Sequence, residues 1–261
     1  MADRVVTDLS DVRLRSGMGA AITSEFLQLN SFDMMQWSDD FVDSSNADMD
    51  NRYTRAVTGS GAGAVLTITA NQEWGSARMT TGTTNDGISA MSMGTICKGD
   101  YNAVLAVRFK INVITAAKIE VGFRDSVANN TVGIVNALDD PTFSATNGCC
   151  WAFDTDATID ISAAEGVKAS SAATGVTLAT TAGGAAPVAD TYQTLVVALM
   201  EDNAYFSRYS ADGRKQGDTI MLTDCNTGSV AVAPAVFVQT RNTTTKLLDI
   251  DFFKMWQLRR S

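Results

Sequence analysis

The chain has 261 residues and a net charge of −9, from 20 Lys and Arg against 29 Asp and Glu, with 20 Gly, 3 Pro and no histidine. Lack of histidine excludes Ser-His-Asp and Cys-His nucleophile activation, imidazole acid–base catalysis and every histidine-ligated zinc or iron site. The acidic balance argues against nucleic acid as a partner, since that affinity rests on clustered Lys and Arg. No run approaches the ~18 apolar residues of a membrane span.

The first residues, Met-Ala-Asp-Arg, and the polar stretch through Arg15 contain no apolar signal-peptide core, so the expectation is a chain made and folded in a cytoplasm. Cys97, Cys149, Cys150 and Cys225 are too few and too irregular for a disulfide framework and form no CxxC pair. They read as small buried thiols.

Residues 1–37 differ in texture from the rest and read as an N-terminal arm, with residues 38–261 as the folded domain. The arm carries Ile22, Phe26, Leu27, Leu29, Met34 and Met35 without strict alternation. Such residues require burial, either against the arm's own domain or in a neighbouring subunit.

Beyond the arm, short apolar runs alternate with Thr, Ser, Gly and Asn. Residues 64–70 alternate, and residues 107–112 put Val107, Phe109 and Ile111 on one face with Arg108, Lys110 and Asn112 opposite. Residues 119–124 repeat this, with Ile119, Val121 and Phe123 inward and Glu120 and Arg124 outward. Side chains of a strand alternate faces, so the pattern predicts sheets with one wet side. Residues 195–200 are continuously apolar, as a more central strand would be. Asp212-Gly213, between Tyr205-Phe206 and Ile220-Met221-Leu222, predicts a hairpin. Residues 162–190 are rich in Ala, Gly, Thr and Ser, and no fixed-period repeat occurs.

Residues 246–257 predict a long final strand, with Leu248, Ile250 and Phe252 on one face and Asp249 and Asp251 on the other. This strand resembles the closing strand of concanavalin A-like (laminin-G-like) sandwiches. Trp37-Ser-Asp-Asp-Phe41 resembles that family's opening strand, residues 107–111 and 121–123 its central pair, and residues 205–213 its ligand-proximal hairpin. The resemblance covers roughly residues 39–260 and implies an all-β, antiparallel two-sheet jelly-roll sandwich. A second resemblance is compositional. An acidic, Thr/Ala/Gly-rich, histidine-free β chain with a leading arm is similar to virion proteins of tailed bacteriophages.

Glucanases of the sandwich family place glutamates and an aspartate two or four residues apart on one strand. Here Glu25, Glu73, Glu120, Glu165 and Glu201 are widely scattered, so that catalytic pattern is absent and no catalytic residue is expected. Glu201-Asp202, beside a turn, reads as solvated loop charge. Asp154, Asp156 and Asp160 sit at alternate positions with Glu165 twelfth from Asp154, a spacing similar to a calcium loop. Ile159 stands where such a loop requires glycine. Calcium is therefore a candidate ion on those three aspartates, and no other cofactor is expected. Trp74 and Tyr101, near turn residues, are the candidate glycan contacts.

Taken together, these features lead to the expectation of a non-enzymatic virion structural protein. It would be a capsid decoration or head-fibre protein, homo-oligomeric (a trimer being one arrangement), docking through its arm on a capsid or tail protein. The alternative is a lectin-like carbohydrate-binding module of a host-recognition fibre.

Overall fold

A computed structural model describes residues 34–41, 51–58, 64–69, 75–125, 133–135, 143–155, 162–169, 171–172, 176–177 and 187–259. In chain order the strands are β1 (Met34–Asp39), β2 (Thr54–Thr58), β3 (Ala64–Ile68), β4 (Ala77–Thr81), β5 (Ile88–Ser92), β6 (Val104–Ile111), β7 (Ala117–Arg124) and β8 (Gly148–Asp154). Then follow β9 (Ser162–Lys168), β10 (Ser171–Ala172), β11 (Val176–Thr177), β12 (Gln193–Met200), β13 (Asn203–Tyr209), β14 (Lys215–Leu222), β15 (Ala233–Thr240) and β16 (Leu247–Leu258). They form two eight-stranded sheets. Sheet A runs β14-β13-β12-β6-β16-β4-β3, with β1 also on β16. Sheet B runs β10-β9-β8-β7-β15-β5-β2, with β11 also on β9. Every strand pairing is antiparallel. The predicted all-β sandwich is what the chain adopts.

The twelve-residue β16 organises sheet A. At about 3.3 Å per residue it is long enough to take two partners end to end along one flank. Leu247–Ile250 pairs with β4 and Phe253–Leu258 with β1, while β6 occupies the other flank. Met34 and Met35 thus lie in β1 opposite Leu258 and Gln257 of the same chain, and Met35 and Trp37 pack against the main core. Ile22, Phe26, Leu27 and Leu29 lie outside the described residues. The turn out of β1 is tied by Asp39, which accepts hydrogen bonds from the Phe41 N–H (2.9 Å), the Arg52 guanidinium (3.1 Å) and the Tyr53 hydroxyl (3.1 Å).

The core lies between the sheets. The alternating residues Leu105, Val107, Phe109 and Ile111 of β6 meet Ile119, Val121 and Phe123 of β7, Trp151 and Phe153 of β8, and Leu195, Val197 and Leu199 of β12. The expected inward faces of the 107–111 and 119–123 segments are therefore correct, and β12 is internal to its sheet and buried along nearly its whole length. The hairpin predicted at Asp212-Gly213 joins β13 to β14, with Gly213 at φ 80°.

Two expectations are corrected. Phe252 does not share a face with Leu248 and Ile250. The β16–β6 register shifts between Ile250 and Phe252, and the extra residue reverses the alternation. Phe253 and Met255 therefore enter the main core, while Phe252 joins Val104, Ala106, Val196, Ala198 and Tyr209 in a second cluster on the outer face of sheet A. The outward face of β7 is also dry: Lys118, Glu120 and Arg124 are all buried. Ile134, Val135 and Ala145 cluster with Cys150, Ala152, Ala163 and Val167 on that side of sheet B.

Candidate functional site

At one end of the sandwich the connections of both sheets converge. They are the 98–102 segment between β5 and β6, the two-residue turn Glu201-Asp202 between β12 and β13, the 223–232 segment between β14 and β15, Asn147 ahead of β8, and Lys168-Ala169 at the end of β9. These backbones press together. The Asp100 N–H donates to the Gly228 carbonyl at 3.1 Å and the Glu201 N–H to the Gly99 carbonyl at 2.9 Å. A Cβ on Gly99 would lie 1.9 Å from the Glu201 carbonyl oxygen, and one on Gly228 would lie 2.4 Å from Asp100 Oδ1. Only glycine permits that approach.

Four non-glycine residues here adopt left-handed backbone: Asn102 (φ 51°), Ala169 (φ 49°), Glu201 (φ 54°) and Asp224 (φ 54°). Such conformations cost free energy and persist where the surroundings enforce them. Around Ala169, Glu201 and Asp224 runs a polar network centred on Asp202. Asp202 Oδ1 accepts the Gly228 N–H at 2.8 Å, and Oδ2 takes the Lys168 ammonium at 2.5 Å. Lys168 also donates to Asp224, whose own N–H donates to Asn203 Oδ1 at 3.2 Å. The buried Asn147 offers Oδ1 to the Ala169 N–H (3.2 Å) and the Thr227 N–H (3.3 Å), joining sheet B loops to the 226–228 segment.

The Lys168 ammonium, followed by the Gly228 N–H, holds the Asp202 carboxyl below the ordinary aspartate range. Hydrogen bonds to Asp202 and then Asp224 raise Lys168 in turn. Half-buried Tyr101 lies in a 3₁₀ turn (Gly99–Tyr101) of the same end, with the Lys98 ammonium 5.5 Å from its ring centroid. The end therefore presents Asp100, Glu201, Asp202 and Asp224 beside Lys98 and Lys168, a buried amide and an aromatic ring. Carboxylates and an amide, held rigidly, accept and donate to hydroxyl groups, and a ring offers a flat apolar face. That set of groups suits a neutral polyhydroxylated ligand.

The other residues singled out from the sequence do not join this end. Trp74 lies outside the described residues, as do Asp156 and Asp160. Asp154 is buried at the end of β8, where the Arg241 guanidinium donates to it at 2.6 Å, so a protein cation already occupies the position facing that carboxylate. Among the described residues, no three His, Cys, Asp or Glu side chains gather in a way that fits a calcium ion. Asp249 and Asp251 sit on the outer face of sheet A and are each held by an arginine. Arg78 clasps Asp249 with two bonds of 2.6 and 2.8 Å, and Arg108 meets Asp251 at 2.6 Å. Cys149 and Cys150 are adjacent in β8 but face opposite sides of sheet B, one in the main core and one in the outer cluster. All four cysteines are buried free thiols, and burial pushes Cys97 up to about 12.

No family model and no curated protein sequence matches the chain. Solved structures do match in fold. Peanut lectin aligns with a TM-score of 0.58 at 9% identity, over 87% of this chain and 99% of the lectin. The fold is that of the lectin-like jelly roll. A protein of unknown function from Shewanella oneidensis MR-1 aligns with a TM-score of 0.57 at 15% identity, over 94% and 97% of the two chains. The exoplasmic/lumenal domain of VIP36, solved with Ca2+ and Man3GlcNAc bound, aligns with a TM-score of 0.51 at 14% identity, over 80% and 85%. The concanavalin A-like resemblance read from the strands thus agrees with the three-dimensional neighbours. The virion setting, with its homo-oligomer and its capsid or tail partner, gains no support from them.

Asp202, Lys168, Gly228 and Asn147 were missed by sequence reasoning. The one available signal was the acidic pair Glu201-Asp202 between two strand patterns, which reads equally well as solvated turn charge.

Proposed function

We propose that the protein is a non-catalytic carbohydrate-binding module that receives its glycan at the loop end built around Asp202. The observation that carries this reading is the arrangement of Asp202, Asn147 and Gly228, locked together by hydrogen bonds beside Tyr101, at one end of a sandwich whose fold is shared with lectins. In this reading the exposed oxygens of Asp224 and Glu201 accept from sugar hydroxyls, and Tyr101 packs against the C–H face of a pyranose. Asp202 and Lys168 hold the loops in place, because both Asp202 oxygens already have protein donors. A preformed site of this kind binds without first ordering its loops, which lowers the entropic cost of association.

A glycan array probed with the full chain, in calcium and again in a chelator, tests the proposal. Retention of a defined glycan class is the expected result, and the chelator arm shows whether a divalent cation takes part. An array silent in both conditions would defeat the proposal.

A further inference from the structure

Lys118 and Glu120 project from the outer face of β7 and form an ion pair at 2.7 Å in which both side chains are at most 2% exposed. Removing two charges from water is costly unless their remaining hydrogen-bonding capacity is also met. Here it is met by a chain segment that belongs to neither sheet. Glu120 accepts the N–H groups of Ile134 and of Val135 (3.1 Å to the latter), and Lys118 donates to the Val135 carbonyl. Backbone groups lying over a sheet face have no ladder to join, so these side chains supply the partners that strands would otherwise provide. The fit is close: a Cβ on Gly133 would lie 2.2 Å from Glu120 Oε1.

The segment is also tied to its own return path. Ser144 donates its N–H to the Ile134 carbonyl at 3.0 Å and its hydroxyl to the Gly133 carbonyl, and Val135 bridges to Phe143. Two residues further on, Thr146 and Asn147 donate their N–H groups to Asp125 at 3.2 and 2.8 Å. Asn147 is the amide that joins the 168–169 and 226–228 loops at the candidate glycan end.

We propose that Glu120, balanced by Lys118, is a positioning residue for that end: it clasps residues 133–135 to the outer face of sheet B and thereby holds Asn147 in place. The clasp stands on the geometry alone, whereas its effect on ligand rests on the glycan-binding reading. Cys150 reports on it directly. Its side chain clusters with Ile134, Val135 and Ala145, whereas the adjacent Cys149 faces the core between the sheets. Release of the segment uncovers Cys150 and leaves Cys149 covered.

The experiment is iodoacetamide labelling of the full chain under native conditions, read at each cysteine by mass spectrometry. Two variants are compared with wild type: Glu120→Gln, which removes the carboxylate, and Gly133→Ala, which changes no charge and sets a methyl group against it. Cys150 labelling should accelerate about ten-fold or more in each variant while Cys149 stays at the wild-type rate, the pattern of a local opening. Unchanged Cys150 labelling in both variants overturns the clasp, and so does a parallel rise at Cys149, which marks loss of the whole sheet. Should Glu120→Gln fail to fold, Gly133→Ala decides alone. Retention of an array-identified glycan should fall about ten-fold in the opened variants. Exposed Cys150 with glycan retention intact overturns the positioning role. A wild-type chain that retains no glycan overturns the functional proposal, while the labelling still judges the clasp.

Discussion

Asp202 and Gly228 meet across the end of the sandwich, with the Gly228 N–H donating to Asp202 Oδ1 at 2.8 Å. One residue belongs to a hairpin within sheet A and the other to the crossing from sheet A to sheet B, so this contact fixes the relative position of loops 26 residues apart. Replacing Asp202 with Ala leaves Lys168 with Asp224 alone and the Gly228 N–H without its acceptor. Glycan affinity should fall by about ten-fold or more, equivalent to roughly 1.4 kcal/mol. The melting temperature should fall modestly, because the half-exposed ion pair contributes little while the buried Gly228 N–H loses its acceptor. Titration calorimetry and a thermal melt on the same sample measure the two effects.

The same pair sets an acid limit. Lys168 and Gly228 depress the Asp202 carboxyl below its ordinary 3.8, so its contribution is complete above that value and is lost as pH falls through the depressed one. Glycan binding should therefore be flat with respect to this group from pH 8 to pH 5, and the Lys168 contact should fail only under stronger acid. Loss of the contact at pH 5, followed by NMR of the Lys168 ammonium, would count against the assignment.

Asp39 offers a stability test remote from the site. It is buried and accepts from Phe41, Arg52 and Tyr53, while the Tyr53 hydroxyl also accepts from Trp37 at 3.2 Å. Asp39→Ala should cost about 2–3 kcal/mol, because buried donors are left unmet. Denaturant unfolding measures it, and the glycan affinity of the folded fraction should not change.

A pair of apolar substitutions separates core from edge. Leu248 is fully buried on the inner side of β16, and Leu248→Ala should cost roughly 2–5 kcal/mol. Met221 is 51% exposed on the edge strand β14, and Met221→Lys should change stability by less than about 0.5 kcal/mol.

Strand alternation made most of the sandwich legible, because a period of two carries directly from side-chain type to sheet face. The register of β16 was not legible beyond Ile250. A bulge adds one residue without altering residue type, and only the pairing with β6 shows that Phe252 faces outward. Lys118 and Glu120 misled for a related reason. On β7 they read as a wet face, and what buries them comes from residues 133–135 and 143–145, whose place over the sheet no local pattern announces. Tyr101 was visible as a turn-proximal aromatic. Asp202 was visible only as half of an acidic pair, since its partner Lys168 lies 34 residues earlier, in the other sheet, and only the packing of the two sheets on each other brings them together.

The most direct test of the account is titration calorimetry of an array-identified glycan against wild type and Tyr101→Ala, each shown by melting to be folded. Wild type should bind, and Tyr101→Ala should lose about ten-fold or more in affinity, because the ring supplies the apolar contact for the pyranose face. Equal affinity in the two proteins would contradict a glycan site at this end of the sandwich.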